Sequence, residues 1–369
     1  MMRKLATLLL AVPALMLAGC EVGTKVTEQV GPRGTGLDLV ADKSSRPVVG
    51  EVPAPPYPLT PDMLTGPRAS ETYQNVKVLG DVSTEEFNYT MAALTNWVAP
   101  ADGTVKNGGC NYCHNPANMA SDEIYTKVVA RKMLQMTRNI NSNWTPHFAL
   151  SVNAGKGAGV TCWTCHRGNP VPKYNWSSAL PNPGTITGNK YGQNTPAQTV
   201  AYASLPNDPF TSLLAGKQQI RVQATGTYPS DHNVAIQTTE KTYGLMMHMS
   251  QGLGVNCAYC HNSQNFANWS QSRPQRVSAW YGIRMVRDIN NNYISALGDV
   301  WPANRRGPAG DPKKVYCTSC HQNINKPLGG YPMLKDYPGL KGAYHADMPV
   351  APVAGTPVAS ATQVAKPAA

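Results

Sequence analysis

The pattern Cys-x-x-Cys-His occurs four times in these 369 residues and takes up eight of the nine cysteines, so any fold must be built around four such sites. The copies are Cys110–Asn111–Tyr112–Cys113–His114, Cys162–Trp163–Thr164–Cys165–His166, Cys257–Ala258–Tyr259–Cys260–His261 and Cys317–Thr318–Ser319–Cys320–His321. Each is the attachment signature of a c-type haem, in which two thiols add to one porphyrin and the adjacent histidine is placed to bind its iron. A single copy would also suit a redox dithiol or half a zinc site. Zinc, however, gives no reason for a histidine directly after the second cysteine in every copy. The cofactor expectation is therefore four covalent haems, on Cys110/Cys113, Cys162/Cys165, Cys257/Cys260 and Cys317/Cys320.

The ninth cysteine belongs to the N-terminus. Arg3 and Lys4 precede an apolar run from Leu5 to Leu17, and Leu17–Ala18–Gly19–Cys20 closes it. The run is shorter than the ~20 residues that span a bilayer, so it reads as a secretory signal over residues 1–19. Its ending resembles a lipoprotein signal, with Cys20 as the acylated N-terminus on the outer face of the cytoplasmic membrane. The charge looks strongly basic, 32 Lys and Arg against 21 acids. Removing Arg3 and Lys4 lowers the net charge from +11 to +9, and eight haem propionates bring it to about +1, because cofactor charge belongs in the sum. A nucleic-acid partner is accordingly not expected.

Residues 20–75 are rich in Pro, Gly and Thr and read as an extended arm; 343–369, an Ala/Pro mixture, read as a disordered tail. Between them, 76–342 form a haem-binding body that is mainly α with much irregular structure. Arg138–Asn139–Ile140–Asn141–Ser142–Asn143–Trp144 aligns with Arg287–Asp288–Ile289–Asn290–Asn291–Asn292–Tyr293 at an offset of 149, with four identities, and the first and third motifs align at 147. This predicts two haem-pair halves related by an internal repeat, over about 80–175 and 236–330, joined by 176–235. Four helices are expected: one from the capping box Ser83-x-x-Glu86, one from Ser121, one over Thr239–Gln251, and one from Pro274 toward Asn290.

The second ligand decides whether an iron is open for chemistry or closed for electron transfer. Four of eight histidines lie in the motifs, leaving His147, His232, His248 and His345. Methionine is the more available partner: Met91 on the helix before the first motif, Met133 between the first two, Met246 before the third. Met136 rivals Met133, while Met247, His248 and Met249 rival Met246. The repeat equivalent of Met133 is Gly282, which offers no sulfur, so the fourth haem needs another ligand. His147 is the best candidate, with Met285 as an alternative.

Met91–Ala92–Ala93 with Trp97, Arg131–Lys132–Met133–Leu134-x-Met136–Thr137–Arg138, Asn143–Trp144–Thr145-x-His147, Thr161–Cys162–Trp163–Thr164–Cys165–His166–Arg167–Gly168 and Gly282–Ile283–Arg284–Met285–Val286–Arg287–Asp288 together resemble the tetrahaem cytochrome subunit of purple-bacterial photosynthetic reaction centres. The likeness runs from Cys20 to about Gly342, with the stretches Ala101–Gly109 and Ala149–Val160 longer than the family pattern. It implies the pairs Met91/His114, Met133/His166, Met246/His261 and His147/His321. It also implies an electron carrier rather than an enzyme: a soluble periplasmic c-type cytochrome or high-potential iron–sulfur protein reduces it, and it re-reduces the photo-oxidised special pair held by the membrane subunits. In the family's layout the first haem is distal and the third nearest the special pair. Arg276 is then a candidate for a cation beside the third haem that raises its potential. The run from Asp81 to Tyr125 carries six acids (Asp81, Glu85, Glu86, Asp102, Asp122, Glu123) against Lys106; Asp81, Glu85, Glu86 and Asp102 are expected to steer a basic donor. The alternatives are a periplasmic multihaem reductase, which needs one open iron, and another lipid-anchored electron-transfer cytochrome.

Overall fold

The computed structural model describes residues 24–29, 38–42, 52–150, 157–178, 197–222 and 235–342. The chain divides into two compact units, residues 1–48 and 49–369. Within the first, β1 (Lys25–Gln29) pairs antiparallel with β2 (Asp38–Asp42), Lys25 opposite Asp42. A hairpin therefore replaces part of the expected extended arm. Val26 and Thr27 suit a strand. Cys20, the signal, His232 and the tail from 343 lie outside the described residues.

The second unit is helical and irregular. Its helices are α1 (Thr84–Val98), α2 (Tyr125–Asn143), α3 (Cys162–His166), α4 (Ile236–Leu253), α5 (Gln275–Asp288) and α6 (Cys317–His321). None among the described residues is long and apolar enough to cross a membrane. Ser83 caps α1 as expected, its Oγ accepting from Glu86 N at 3.1 Å. The Glu86 carboxyl does not close the box; it turns to the Gly339 backbone. Helix α2 begins four residues later than Ser121, because Ser121 Oγ accepts from Glu123 N in a turn and Asp122 is held by Arg131. Pro274 directly precedes α5, and one wider turn, Ile289–Ile294, continues that helix.

Three apolar clusters hold the body. One joins Tyr89, Ala93 and Trp97 of α1 to Leu134 and to Leu334, Tyr337 and Leu340 near the C-terminal end of the described chain. A second joins the end of α2 (Ile140, Trp144) to Tyr281, Met285 and Ile289 of the α5 segment. The third joins Phe210, Leu213 and Leu214 to Leu245, Ile283 and Val286.

Buried amides fix the motifs against these clusters. Asn141 donates to Val160 O and Leu340 O, both at 2.9 Å, and accepts from Val160 N at 2.8 Å. Asn290 donates to Val315 O at 2.9 Å and Leu214 O at 3.1 Å, and accepts from Val315 N at 2.9 Å. Val160 and Val315 each stand two residues before an attachment cysteine, so one side chain sets the strand leading into α3 and the other that into α6. Arg138 Nε donates to Gly339 O at 3.0 Å, as Arg287 Nε does to Leu213 O at 2.6 Å. The α2 half is thus closed by the chain that follows the fourth motif, and the α5 half by the chain that follows the second.

Candidate functional site

The four motifs fall into two local conformations. The first and third are single tight turns, Gly109–Tyr112 and Cys257–Tyr259, whose histidine Nδ1 meets a carbonyl five residues on: Met119 O at 2.9 Å and Phe266 O at 3.1 Å. The second and fourth are helical turns, α3 and α6, ended by a left-handed residue, Arg167 (φ 49°) or Gln322 (φ 50°). There Nδ1 meets a carbonyl three residues on: Asn169 O at 2.8 Å and Ile324 O at 3.0 Å. A carbonyl can only accept, so each Nδ1 carries the proton and Nε2 presents its lone pair, the state a ligating imidazole needs.

None of the eight described cysteines is in a disulfide. Burial pushes Cys162 and Cys317 up to about 12 and Cys260 up to about 11, the reverse of an activated redox dithiol. Among the described residues no three His, Cys, Asp or Glu side chains converge as a metal-ion site, so zinc has no four-ligand cage here. Thioether attachment asks only that the paired sulfurs flank one pocket. Cys317 and Cys320 do so, lining a partly open, mostly apolar cavity of about 190 Å³ with His321, His147, Gly282 and Tyr259.

His147 lies on a short turn, Thr145–Phe148, just beyond α2. Its N donates to Trp144 O at 2.9 Å and its Nδ1 pairs with Ser278 O at 2.9 Å, giving the tautomer of the motif histidines. Its ring centre stands 6.2 Å from that of His321, at 85°. Two imidazoles bound at about 2 Å to one ion between them have centres about 6 Å apart. Gly282 makes the seat: a Cβ there would lie 2.8 Å from His147 Cε1. Both rings are kept neutral by burial, which pushes His321 down to about 4 with help from His147. These residues fit a haem closed on both faces by histidine.

The candidate methionines border the apolar clusters. Met91 packs on the α1 cluster that includes Cys162. Met133 and Met136 both border the α2–α5 cluster, and Met246 and Met249 both border the α4 cluster. Met285 is buried within the α2–α5 cluster. His248 is buried against Phe210 (4.7 Å) and Tyr316 (4.4 Å). Arg276 stacks over Trp269 at 4.1 Å and donates to Ser272 Oγ at 2.6 Å. Burial, partly offset by Cys260, pushes it down to about 10, and its charge acts on His261 of the third motif.

The acidic run is not the surface that its spacing suggests. Glu86 is buried, and burial raises its carboxyl. Asp81 is gripped by both Nη atoms of Arg138, at 2.9 and 2.5 Å. Asp122 is engaged by Arg131 at 2.8 Å, Lys127 at 3.3 Å and Lys77 at 3.9 Å. Glu85, Asp102 and Glu123 remain exposed, with Met119 half exposed beside His114. Of the four docking candidates, Glu86 is therefore excluded by its burial, whereas Asp81 is paired with Arg138 and keeps 43% of its side chain exposed.

Sequence reasoning missed Asn141, Asn290 and Asp288. Their signal was available, since the two asparagines are identities of the repeat and polar residues within a helical segment.

The model of the photosynthetic reaction centre cytochrome C subunit family matches residues 21–341. The chain is 49% identical over 332 residues to the photosynthetic reaction center cytochrome c subunit of Thermochromatium tepidum, covering 90% of this chain and 79% of that one. It is 47% identical over 346 residues to that of Rubrivivax gelatinosus (92% and 90%), and 38% over 327 residues to that of Roseobacter denitrificans (85% and 84%). With four haem motifs whose histidines all present Nε2, and a match spanning nearly its whole length, the chain belongs to the family of photosynthetic reaction-centre cytochrome c subunits.

Proposed function

We propose that this multihaem electron carrier of the reaction centre holds four haems, three closed by His/Met and one by His/His, and that it passes electrons from a soluble periplasmic donor to the photo-oxidised special pair. The observation that carries the reading is His147 facing His321 at 6.2 Å across the seat made by Gly282. The haems supply one-electron reduction and oxidation without bond making. The chain's residues supply the rest: Met91, Met133 and Met246 stand as partners of His114, His166 and His261, and His147 as partner of His321. The duplicated Asn141 and Asn290 clamps support reading the body as two related haem pairs.

Contacts between motifs support a spatial order of first, second, fourth, third. Gly168 N, just past the second motif, donates to Trp97 O of α1 at 2.9 Å. Cys165 Sγ and Cys320 Sγ approach to 2.7 Å across the two halves. Tyr259 and Cys260 line the same cavity as Cys317 and Cys320, and Asn325 Nδ2 reaches Tyr259 Oη at 3.3 Å. The first and third sites are then the ends of the relay, the first meeting the donor and the third, beside Arg276, meeting the membrane subunits. The donor is a c-type cytochrome or a high-potential iron–sulfur protein. With Glu86 buried and Asp81 paired, its dock keeps the exposed Glu85, Asp102 and Glu123 and includes the half-exposed Met119, which adds apolar contact. Attachment through an acylated Cys20 gives the membrane association of a reaction-centre subunit a periplasmic anchor; intact-mass spectrometry of the mature N-terminus tests it.

Magnetic circular dichroism combined with a redox titration of the purified protein tests the main reading. Three His/Met haems and one bis-His haem are expected. A five-coordinate, high-spin haem that binds exogenous ligands would point to a reductase instead.

A further inference from the structure

The two aligned helices differ at several positions, and two of the differences bear on His147. Met133 becomes Gly282, and Asn139 becomes Asp288. The first change opens the seat of His147. The second places a buried carboxylate, 5% exposed, where α5 meets the end of α2. Asp288 Oδ2 accepts from Trp144 Nε1 at 3.0 Å and from Asn139 Nδ2 at 2.7 Å, and Oδ1 accepts from Asn292 Nδ2 at 2.6 Å. Asn139 is itself held by Asn143, whose Nδ2 reaches its Oδ1 at 2.7 Å.

Trp144 is the link. Its indole is buried, its N–H is spoken for by Asp288, and its carbonyl accepts the backbone N–H of His147 at 2.9 Å. His147 Nδ1 returns to α5 at Ser278 O. A closed circuit runs from α5 through Asp288 to Trp144, to His147, and back to α5. A carboxylate can accept on both oxygens, which suits three N–H donors; an asparagine keeps one accepting oxygen, for Trp144 and Asn139, and loses the one that meets Asn292.

We propose that Asp288 is the positioning residue for the ligand that crosses between the halves: by fixing Trp144 it sets where His147 presents Nε2 to the fourth haem. This rests on His147 and His321 being that haem's ligands. It does not touch the haem and acts only through the tryptophan. Both symmetry-breaking substitutions then serve one purpose, one clearing space for the imidazole and the other holding it there.

The test uses the holoprotein with its four haems, comparing wild type with Asp288→Ala, Asp288→Asn and Trp144→Phe. Electron paramagnetic resonance and near-infrared magnetic circular dichroism report the axial pair of each haem, and potentiometry reports each potential. Asp288→Ala is expected to convert much of the bis-His signal to high-spin or weakly ligated haem, and to shift that haem's potential while the other three stay put. Asp288→Asn retains an oxygen for Trp144 and restores most of the signal. Trp144→Phe, which removes the indole N–H together with one of its two fused rings, shifts the same haem alone, and stands in should Asp288→Ala fail to assemble. Thermal destabilisation with the fourth haem's spectrum and potential unchanged in all assembled variants overturns the proposal, leaving Asp288 as a structural brace. A wild-type protein with no bis-His haem overturns the ligand assignment instead, which the variants alone cannot do.

Discussion

Replacing Gly282 with alanine adds one methyl group inside α5 and nothing else, yet it falls on a close contact with the His147 ring. Ordinary carbon contacts lie at 3.4–4 Å, and the new Cβ would stand 2.8 Å from Cε1 and 3.0 Å from Nδ1 of His147. The imidazole must therefore retreat by at least the difference between 3.4 and 2.8 Å, 0.6 Å. It cannot swing freely, being tied to Trp144 O and Ser278 O, both at 2.9 Å. Overpacking costs about 1–3 kcal/mol, while alanine is better than glycine in a helix interior by about 1 kcal/mol. The net loss of global stability is about 0–2 kcal/mol. The local effect is larger, since a 0.6 Å retreat is a large part of a metal–nitrogen bond of about 2 Å. Gly282→Ala should therefore leave the melting temperature nearly unchanged while weakening or removing the bis-His spectrum of one haem and moving its potential. Gly282→Met, which restores the residue found at the repeat position, should displace His147 further and can turn that haem into a His/Met one. Electron paramagnetic resonance and a spectroelectrochemical titration read both outcomes. A Gly282→Ala protein with all four haems as in wild type would refute the claim that His147 is seated against this glycine as a ligand.

Removing a clamp should cost more stability than removing a ligand. Asn141→Leu strands Val160 N, Val160 O and Leu340 O at about 1–3 kcal/mol for each buried unpaired group, or about 3–9 kcal/mol in all. Asn290→Leu should cost a similar amount in denaturant titrations, and a loss below about 1 kcal/mol for either contradicts the clamp. Asp122 is held below the usual carboxylate range, first by the Arg131 hydrogen bond. Its stabilisation is therefore present above about pH 4 and is lost as pH falls toward the depressed value, so Asp122→Asn should flatten that acid limb in unfolding measurements. Glu86 has the opposite sign, since burial raises its carboxyl. It costs stability as pH rises through the raised value, and Glu86→Gln should stabilise the protein at neutral pH but not at pH 4; equal effects at both refute this. Glu85→Lys should change the donor oxidation rate by less than about threefold at moderate salt, because the neighbouring acids are buried or paired. A steep, salt-sensitive loss would restore the acidic dock.

The acids show where a linear reading stops. Spacing counts charge but does not say which way a side chain faces: Glu86 looks like Glu85 in sequence, yet helical geometry turns one into the core and the other to solvent. The start of α2 was misplaced for a related reason. Ser121, Asp122 and Glu123 have capping chemistry, but Arg131, nearly two turns into the helix, claims Asp122, which lies before the helix. The hairpin at Lys25–Gln29 was missed because a Gly- and Pro-rich composition hides a short alternating strand.

By itself, the sequence determined the chemistry: four attachment motifs, a signal-like N-terminus, and methionines placed ahead of three motifs. It also exposed the gap at Gly282, because a missing side chain is visible in an aligned repeat. Only tertiary structure decided what fills the gap. His147 and Gly282 are 135 residues apart, and their contact depends on α2 and α5 meeting at Trp144, Asn139 and Asp288. Covalent attachment is local, written in five consecutive residues. Closing an iron from its other face is a meeting of distant segments, and it exists only once the two halves have packed.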